Sequence, residues 1–264
     1  MSDQNQHNIE IQLNLQKWRE KPLLRRVYQQ FYKLILAEID LKAQGSIVEL
    51  GSGIGNLKSV LPEALCTDLF ANPWIDRVEN AYMLGFSNES LSHLILFDVF
   101  HHLEYPGDAL REFLRVLKPG GRVIIFEPDI SLLGWLVYGL LHHEPVSRFK
   151  PIKWFAPVGT DHSKLGYYAA QGNANRVFLN REWHQTLCDW ELRTIKRFSA
   201  LSYLASGGYS KKQMLPAVSF PLLRAVECIL DCFPALFSTR LLVVMEKGTR
   251  NSRQTHKQSH QFTV

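Results

Sequence analysis

Cysteine is scarce in this chain, at 4 in 264 residues. Cys66 and Cys188 stand alone. Cys228 and Cys232 lie four apart with no nearby His or second Cys pair, so neither a disulfide scaffold nor a thiolate metal site is expected. The pair reads instead as buried packing on one helix face. Long apolar runs are missing as well. The longest uncharged one, Ile130 to Leu141, has 12 residues, against the ~20 that a spanning helix needs. The stretch from Met214 to Met245 is broken by Pro216, Pro221 and Pro234 and by Arg224, Glu227, Asp231 and Arg240. The N-terminus, MSDQNQHNIE, lacks the basic-then-apolar order of a secretory signal. No internal repeat is visible. These absences point to a soluble, cytoplasmic chain, with peripheral contact to a membrane surface left open.

What is present excludes disorder: 46% of the residues are hydrophobic and 11% aromatic. The length suits one domain with insertions, burying roughly 75% of its unfolded surface. The formal charge of +5 is unevenly placed. Residues 247–264 hold Lys247, Arg250, Arg253 and Lys257 and no acid, which leaves only +1 for residues 1–246. A nucleic-acid partner is therefore not expected, and 248–264 reads as a disordered basic tail.

Hydrophobic spacing divides the rest. Residues 9–42 read as mostly helical, with Pro22 suited to a first turn and Leu23, Leu24, Val27, Phe31, Leu34 and Ile35 recurring at three- and four-residue steps. After Gly45 the rhythm changes to short apolar runs separated by helical stretches. Strands are predicted at 46–50, 64–67, 77–78, 91–97 and 122–126, with a short helix running to Leu61 and a longer one over 108–117. Such a pattern predicts a parallel sheet covered on both faces. A further strand pair is predicted at 192–198 and 241–245, and Asn180 is a candidate helix cap.

The segment Val48-Glu49-Leu50-Gly51-Ser52-Gly53-Ile54-Gly55 carries the chemistry. A strand running into G-x-G-x-G lets backbone pass close beneath a ligand. A dinucleotide fingerprint would want Gly or Ala at position 56, where Asn56 stands. Glu49 ends the strand with a carboxylate suited to a cationic group. Asp68, 17 residues after Gly51, ends the next strand, where it can accept from both hydroxyls of a ribose. The plain alternative is a tight strand–helix turn with a capping acid.

VELGSGIG, the acid in CTDLF, and LILFDVFHHLEYPGDALREFLRVLKPGGRVIIFEP together resemble the class I S-adenosylmethionine-dependent methyltransferases of the type-11 group. The resemblance covers about residues 45–128. It implies an α/β, Rossmann-like fold, with a seven-stranded, mostly parallel sheet, helices on both faces and a reversed C-terminal hairpin. It implies S-adenosyl-L-methionine as cofactor and no metal. The implied organisation is an N-terminal helical segment (1–44) and a methyltransferase domain (45–247), with substrate or lid insertions at 129–180 and 206–239. By the same resemblance, Gly51, Gly53 and Gly55 lie under the methionine half of the cofactor, Glu49 orients the loop and the amino group, Asp68 binds the ribose, and Leu69 flanks the adenine. Asn80 and Ala81 stand where the family often has Asp-Ala, and Phe97 and Asp98 where its backbone meets the methionine moiety.

An O- or C-acceptor loses a proton, which calls for a base. His101 and His102 follow the fourth strand at the edge where open α/β sheets bind ligands, and either could be that base or hold the loop by hydrogen bonds. Glu127 ends the fifth strand at the same edge and could contact substrate or be structural. Trp135, Tyr138, His142, His143 and Glu144 are candidates for reaching the acceptor from a lid, with a surface position as the alternative for the two histidines and Glu144. The segments 130–141 and 214–237 are apolar on nearly all sides, unlike surface helices. They suit a groove for a small, lipophilic or lipid-linked acceptor, a covered core, or a dimer face. The chain reads as a monomer or homodimer. Competing readings are a non-catalytic cofactor-binding scaffold and a nicotinamide oxidoreductase.

Overall fold

A computed structural model describes residues 3–140, 146, 150–165 and 168–248. Seven strands form one sheet: β1 (Ser46–Leu50), β2 (Leu65–Asp68), β3 (Arg77–Val78), β4 (Leu91–Phe97), β5 (Leu117–Pro128), β6 (Trp190–Phe198) and β7 (Arg240–Lys247). Their spatial order is β3-β2-β1-β4-β5-β7-β6. The first five run parallel, and β7 lies antiparallel between β5 and β6. This is the expected sheet with its reversed hairpin.

Alternation along the strands builds two cores. Leu94 and Leu96 of β4, Val123 and Ile125 of β5, and Leu241 and Val243 of β7 face one side. There they meet α3 (Pro106–Val116) through Leu110, Phe113 and Val116. Ile95, Ile124, Phe126, Leu242 and Val244 face the other and meet Leu23, Val27, Phe31 and Ile35 of α2 (Pro22–Leu36). Both faces are dry, which is what lets these strands be uninterruptedly apolar.

The single N-terminal helical stretch proves to be two helices, α1 (Asp3–Glu20) and α2, with Pro22 in the first turn of the second. Buried Lys21 ties their junction to the 207–211 turn, donating to the carbonyls of Gly208 at 2.6 Å and of Lys211. The helix expected after the glycine loop is only a 3-10 turn, Asn56–Ser59. Between β5 and β6 lie α4 (Leu132–Leu140) and α5 (Asn173–Phe178), and between β6 and β7 lie α6 (Leu201–Ser206), α7 (Phe220–Leu230) and α8 (Pro234–Phe237). Asn180 does cap a 3-10 helix, its side-chain oxygen accepting from Glu182 N at 3.2 Å. Cys228 and Cys232 are exposed, which corrects the packing reading: the inner side of α7 is taken by Phe220, Leu223 and Glu227 instead. His142, His143, Glu144 and 249–264 lie outside the described residues.

Candidate active site

Two cavities meet at the carboxyl ends of β1, β2 and β4, where the strand order reverses around β1. The first, about 310 Å³, runs along the glycine loop. Gly51 has φ +68°, and a Cβ there would fall 2.4 Å from Val99 Cγ2, so only glycine closes this turn. Gly53 donates its N–H to Asp68 Oδ2 at 3.0 Å, and Leu69 N donates to Oδ1 at 2.7 Å. A carboxylate has about four acceptor positions, so two remain for hydroxyl donors. Leu69, Val99, Leu103 and Leu165 supply apolar wall, and Asn80, Ala81 and Tyr82 complete one side. The Asn80 side-chain oxygen already accepts from Tyr82 N at 2.9 Å, while its amide donates to the His162 carbonyl at 3.1 Å.

Three residues assigned by resemblance lie behind this wall. Glu49 is 4% exposed, and burial pushes its carboxyl up to about 7. Gly55 does not line the cavity; a Cβ there would press on the Trp74 carbonyl at 2.7 Å. Phe97 stacks between Tyr28 and Phe126. Their places support the loop rather than touch the cavity.

Helix α1, which the sequence left without a role, closes the first cavity through His7, Glu10, Ile11 and Asn14. His7 Nε2 stands 3.5 Å from Asp68 Oδ1. The wall carries four carboxylates and no Lys or Arg; Glu79 and Asp98 pair with Arg77 and Arg240 behind it, which leaves Glu10 and Asp68 as its acids without an arginine partner. That charge suits a ligand bearing a cationic sulfonium and amine. It does not suit the diphosphate of a dinucleotide, which would also want an α-helix N-terminus where this chain has a 3-10 turn. The residues present therefore fit S-adenosylmethionine.

The second cavity, about 390 Å³, shares Glu10, Asn14, Asp98 and His102 with the first. Its remaining wall includes Tyr138, Tyr203, Tyr209, Gln171, Pro128 and Arg240. Asp98 has φ +55°, held by its N–H on the Phe126 carbonyl at 2.8 Å and by an ion pair with Arg240. Burial pushes its carboxyl up while Arg240 pulls it down. Arg240 itself is buried, its guanidinium among the rings of Phe31, Phe97, Phe126 and Tyr203. Tyr138 donates to the Thr239 carbonyl at 3.1 Å, and burial raises its phenol.

The two histidines are distinguished by their surroundings. His101 is 2% exposed; its Nδ1 is 2.6 Å from Glu127 Oε2 and its Nε2 is 3.1 Å from the Gln171 amide nitrogen. Glu127 is buried, lines neither cavity, and also accepts from Phe100 N at 2.6 Å. His102 lines both cavities, and its Nδ1 is 2.7 Å from the Tyr168 carbonyl, which can only accept. That contact calls for a proton on Nδ1. Trp135 is exposed on α4 and lines a third cavity, about 550 Å³, which shares Gln171 with the second. Among the described residues, no group of three or more His, Cys, Asp and Glu side chains could hold a metal ion.

A family model for a methyltransferase domain matches residues 48–125. No curated protein sequence matches the chain. Among solved structures, the chain is similar to geranyl diphosphate C-methyltransferase from Streptomyces coelicolor, with 12% identity, 84% of this chain and 80% of that chain covered, and a TM-score of 0.51. It is also similar to an S-adenosylmethionine-dependent methyltransferase of Thermotoga maritima, with 13% identity, 86% and 91% covered, and a TM-score of 0.49. The first of these likenesses supports the fold.

Proposed function

We propose that this chain, whose residues 48–125 match the model of a methyltransferase domain, is a class I S-adenosylmethionine-dependent methyltransferase and that it methylates a small, lipophilic acceptor held in the cavity beside the cofactor. The observation that carries this reading is the shared wall: Asp98 and His102 face both cavities, so a group in one lies next to a group in the other. When bound, S-adenosylmethionine supplies an activated methyl group, which leaves the protein to align the partners and exclude water. Asp68 and the Gly51–Gly53 turn hold the cofactor side, and α1 covers it. The rings of Tyr138, Tyr203 and Tyr209 pack against the acceptor's apolar body. His102 takes up the acceptor's proton at Nε2 where one is lost. Arg240 positions Asp98 at the junction. His101, Glu127 and Gln171 hold the 100–102 turn, so that His102 keeps its place.

The lipophilic class is favoured by the three tyrosine rings set in an otherwise largely polar wall, and by the third cavity, which shares Gln171 with the second and is lined by Ile130, Leu132 and Trp135. Two measurements test the reading. Calorimetry should show S-adenosylmethionine binding, no NADH binding, and at least a tenfold loss of affinity in Asp68→Ala, about the size expected when charged hydrogen bonds to a hydroxyl pair are removed. Labelled-methyl transfer to cell extract should place label in the organic-soluble fraction. Label confined to the aqueous fraction would overturn the lipophilic acceptor. Tight cofactor binding with no transfer to any fraction would make the protein a scaffold instead.

A further inference from the structure

Helix α7 is apolar on both sides: Phe220 and Leu223 pack against the core, and a second apolar stripe faces away from it. Leu222, Val226, Ile229 and Phe233 recur at the spacing of one helical stripe, and that stripe points outward, with Leu222 71% and Ile229 66% exposed. The charged residues of the same stretch turn inward. Glu227 is fully buried, accepting from Ser202 N at 2.6 Å and from Arg224 Nη1 at 2.5 Å. Asp231 accepts from Ser199 N at 2.6 Å and from its hydroxyl at 2.8 Å. From 213 to 237, every exposed residue is uncharged. The face continues through Met214, Leu215 and Val218 on one side. On the other side it continues to Leu236 of α8 and, across the α4–α8 contact, to Leu132, Trp135 and Leu136.

We propose that this face docks on an anionic lipid surface, with α7 lying in the plane of the headgroups. Two observations select lipid over a protein partner. Protein interfaces carry about one hydrogen bond per 100–200 Å². Apart from the weak thiols of Cys228 and Cys232, no exposed side chain between 213 and 237 can make one, and Pro216 and Pro221 lack even the backbone N–H. Hydrocarbon asks for no such bond. The second is charge at the edge. Lys211 and Lys212 are exposed immediately before the apolar stretch, and exposed Arg26 of α2 donates to the Ala217 carbonyl at 3.3 Å. Three cations therefore border an uncharged apolar face, as suits contact with anionic headgroups. The third cavity opens on the same side, between Leu132, Trp135 and Ala235. Docking would thus bring that opening to the bilayer, although the docking itself rests on the outer face and not on the acceptor.

The test is co-sedimentation of the full chain with phosphatidylcholine vesicles, with and without about 30% phosphatidylglycerol. Wild-type protein should pellet with the anionic vesicles and largely stay in solution with the neutral ones, and raised salt should narrow the difference. Leu222→Glu combined with Ile229→Glu should cut the bound fraction at least about tenfold, with thermal midpoint and S-adenosylmethionine binding unchanged. Should that double variant fail to fold, Lys211→Glu with Lys212→Glu carries the test by removing the preference for anionic lipid. Wild-type protein that stays in solution with every vesicle would overturn the proposal. So would a lipid-free dimer that the Leu222/Ile229 variant dissociates, since the face would then be covered by a second copy. Cofactor affinity, read in the same samples, separates failure of docking from failure of the methyltransferase reading.

Discussion

Helices α3 and α7 have 11 residues each and a proline in the first turn, yet they treat water in opposite ways. On α3, Ala109, Leu110, Phe113 and Val116 are buried, and Arg111 reaches solvent. On α7 the one fully buried residue is Glu227, while Leu222, Val226 and Ile229 are exposed. The contrast separates two kinds of selection within one chain. The region around α3 is arranged to fold and to hold a cofactor against a sheet. The region around α7 spends buried polar contacts on keeping charge away from its outer side, which folding alone does not require.

Substitutions at matched places make the contrast measurable. The largest effect is expected at the α3 core, where Phe113→Ala leaves a cavity under the sheet and should lower stability by about 4 kcal/mol in denaturant titration. Next is Glu227→Ala on α7, which strands Arg224 and the Ser202 N–H and should remove about 3 kcal/mol. A loss near that of an exposed residue would break the claim that α7 is anchored by its charges. The smallest effect belongs to Leu222→Ser on the outer stripe, where stability should stay within about 0.5 kcal/mol of wild type while lipid binding weakens. A large destabilisation there would show that the outer stripe is core after all.

The same contrast explains what could be read from the chain in advance. Between 45 and 128 the information is local. The glycine turn, Asp68 and the apolar strands each carry their signature within a few residues, and the structure places them as expected. Even there, the pattern did not separate residues that touch the cavity, such as Gly51, Gly53 and Asp68, from those that brace it, such as Glu49, Gly55 and Phe97. A motif records that a residue is needed at a turn, not which way it faces. The second cavity was less legible because its wall is assembled over long separations: Asp98 just after β4, Tyr203 and Tyr209 from around α6, and Arg240 at the start of β7. Arg240 reads in sequence as a charge interrupting an apolar run. Only the return of β7 between β5 and β6 brings it to Asp98. Helix α1 gave no sign of its place either. Its apolar residues Ile9, Ile11, Leu13 and Leu15 fall at every second position, which masks the weak helical stripe of Ile11, Leu15 and Trp18 that marks its inner side.

Glu10 and Asn14, one turn apart on α1, face both cavities, so one helix walls both sites. Swinging α1 about its junction at Lys21 would unroof both cavities at once. With cofactor and acceptor in the two cavities as proposed, exchange of spent for fresh cofactor and exchange of product for acceptor would be coupled events rather than independent ones. In such an enclosure the order of loading and the dwell time of the first arrival are set by one helix, and turnover would follow solvent viscosity as readily as the chemistry of methyl transfer.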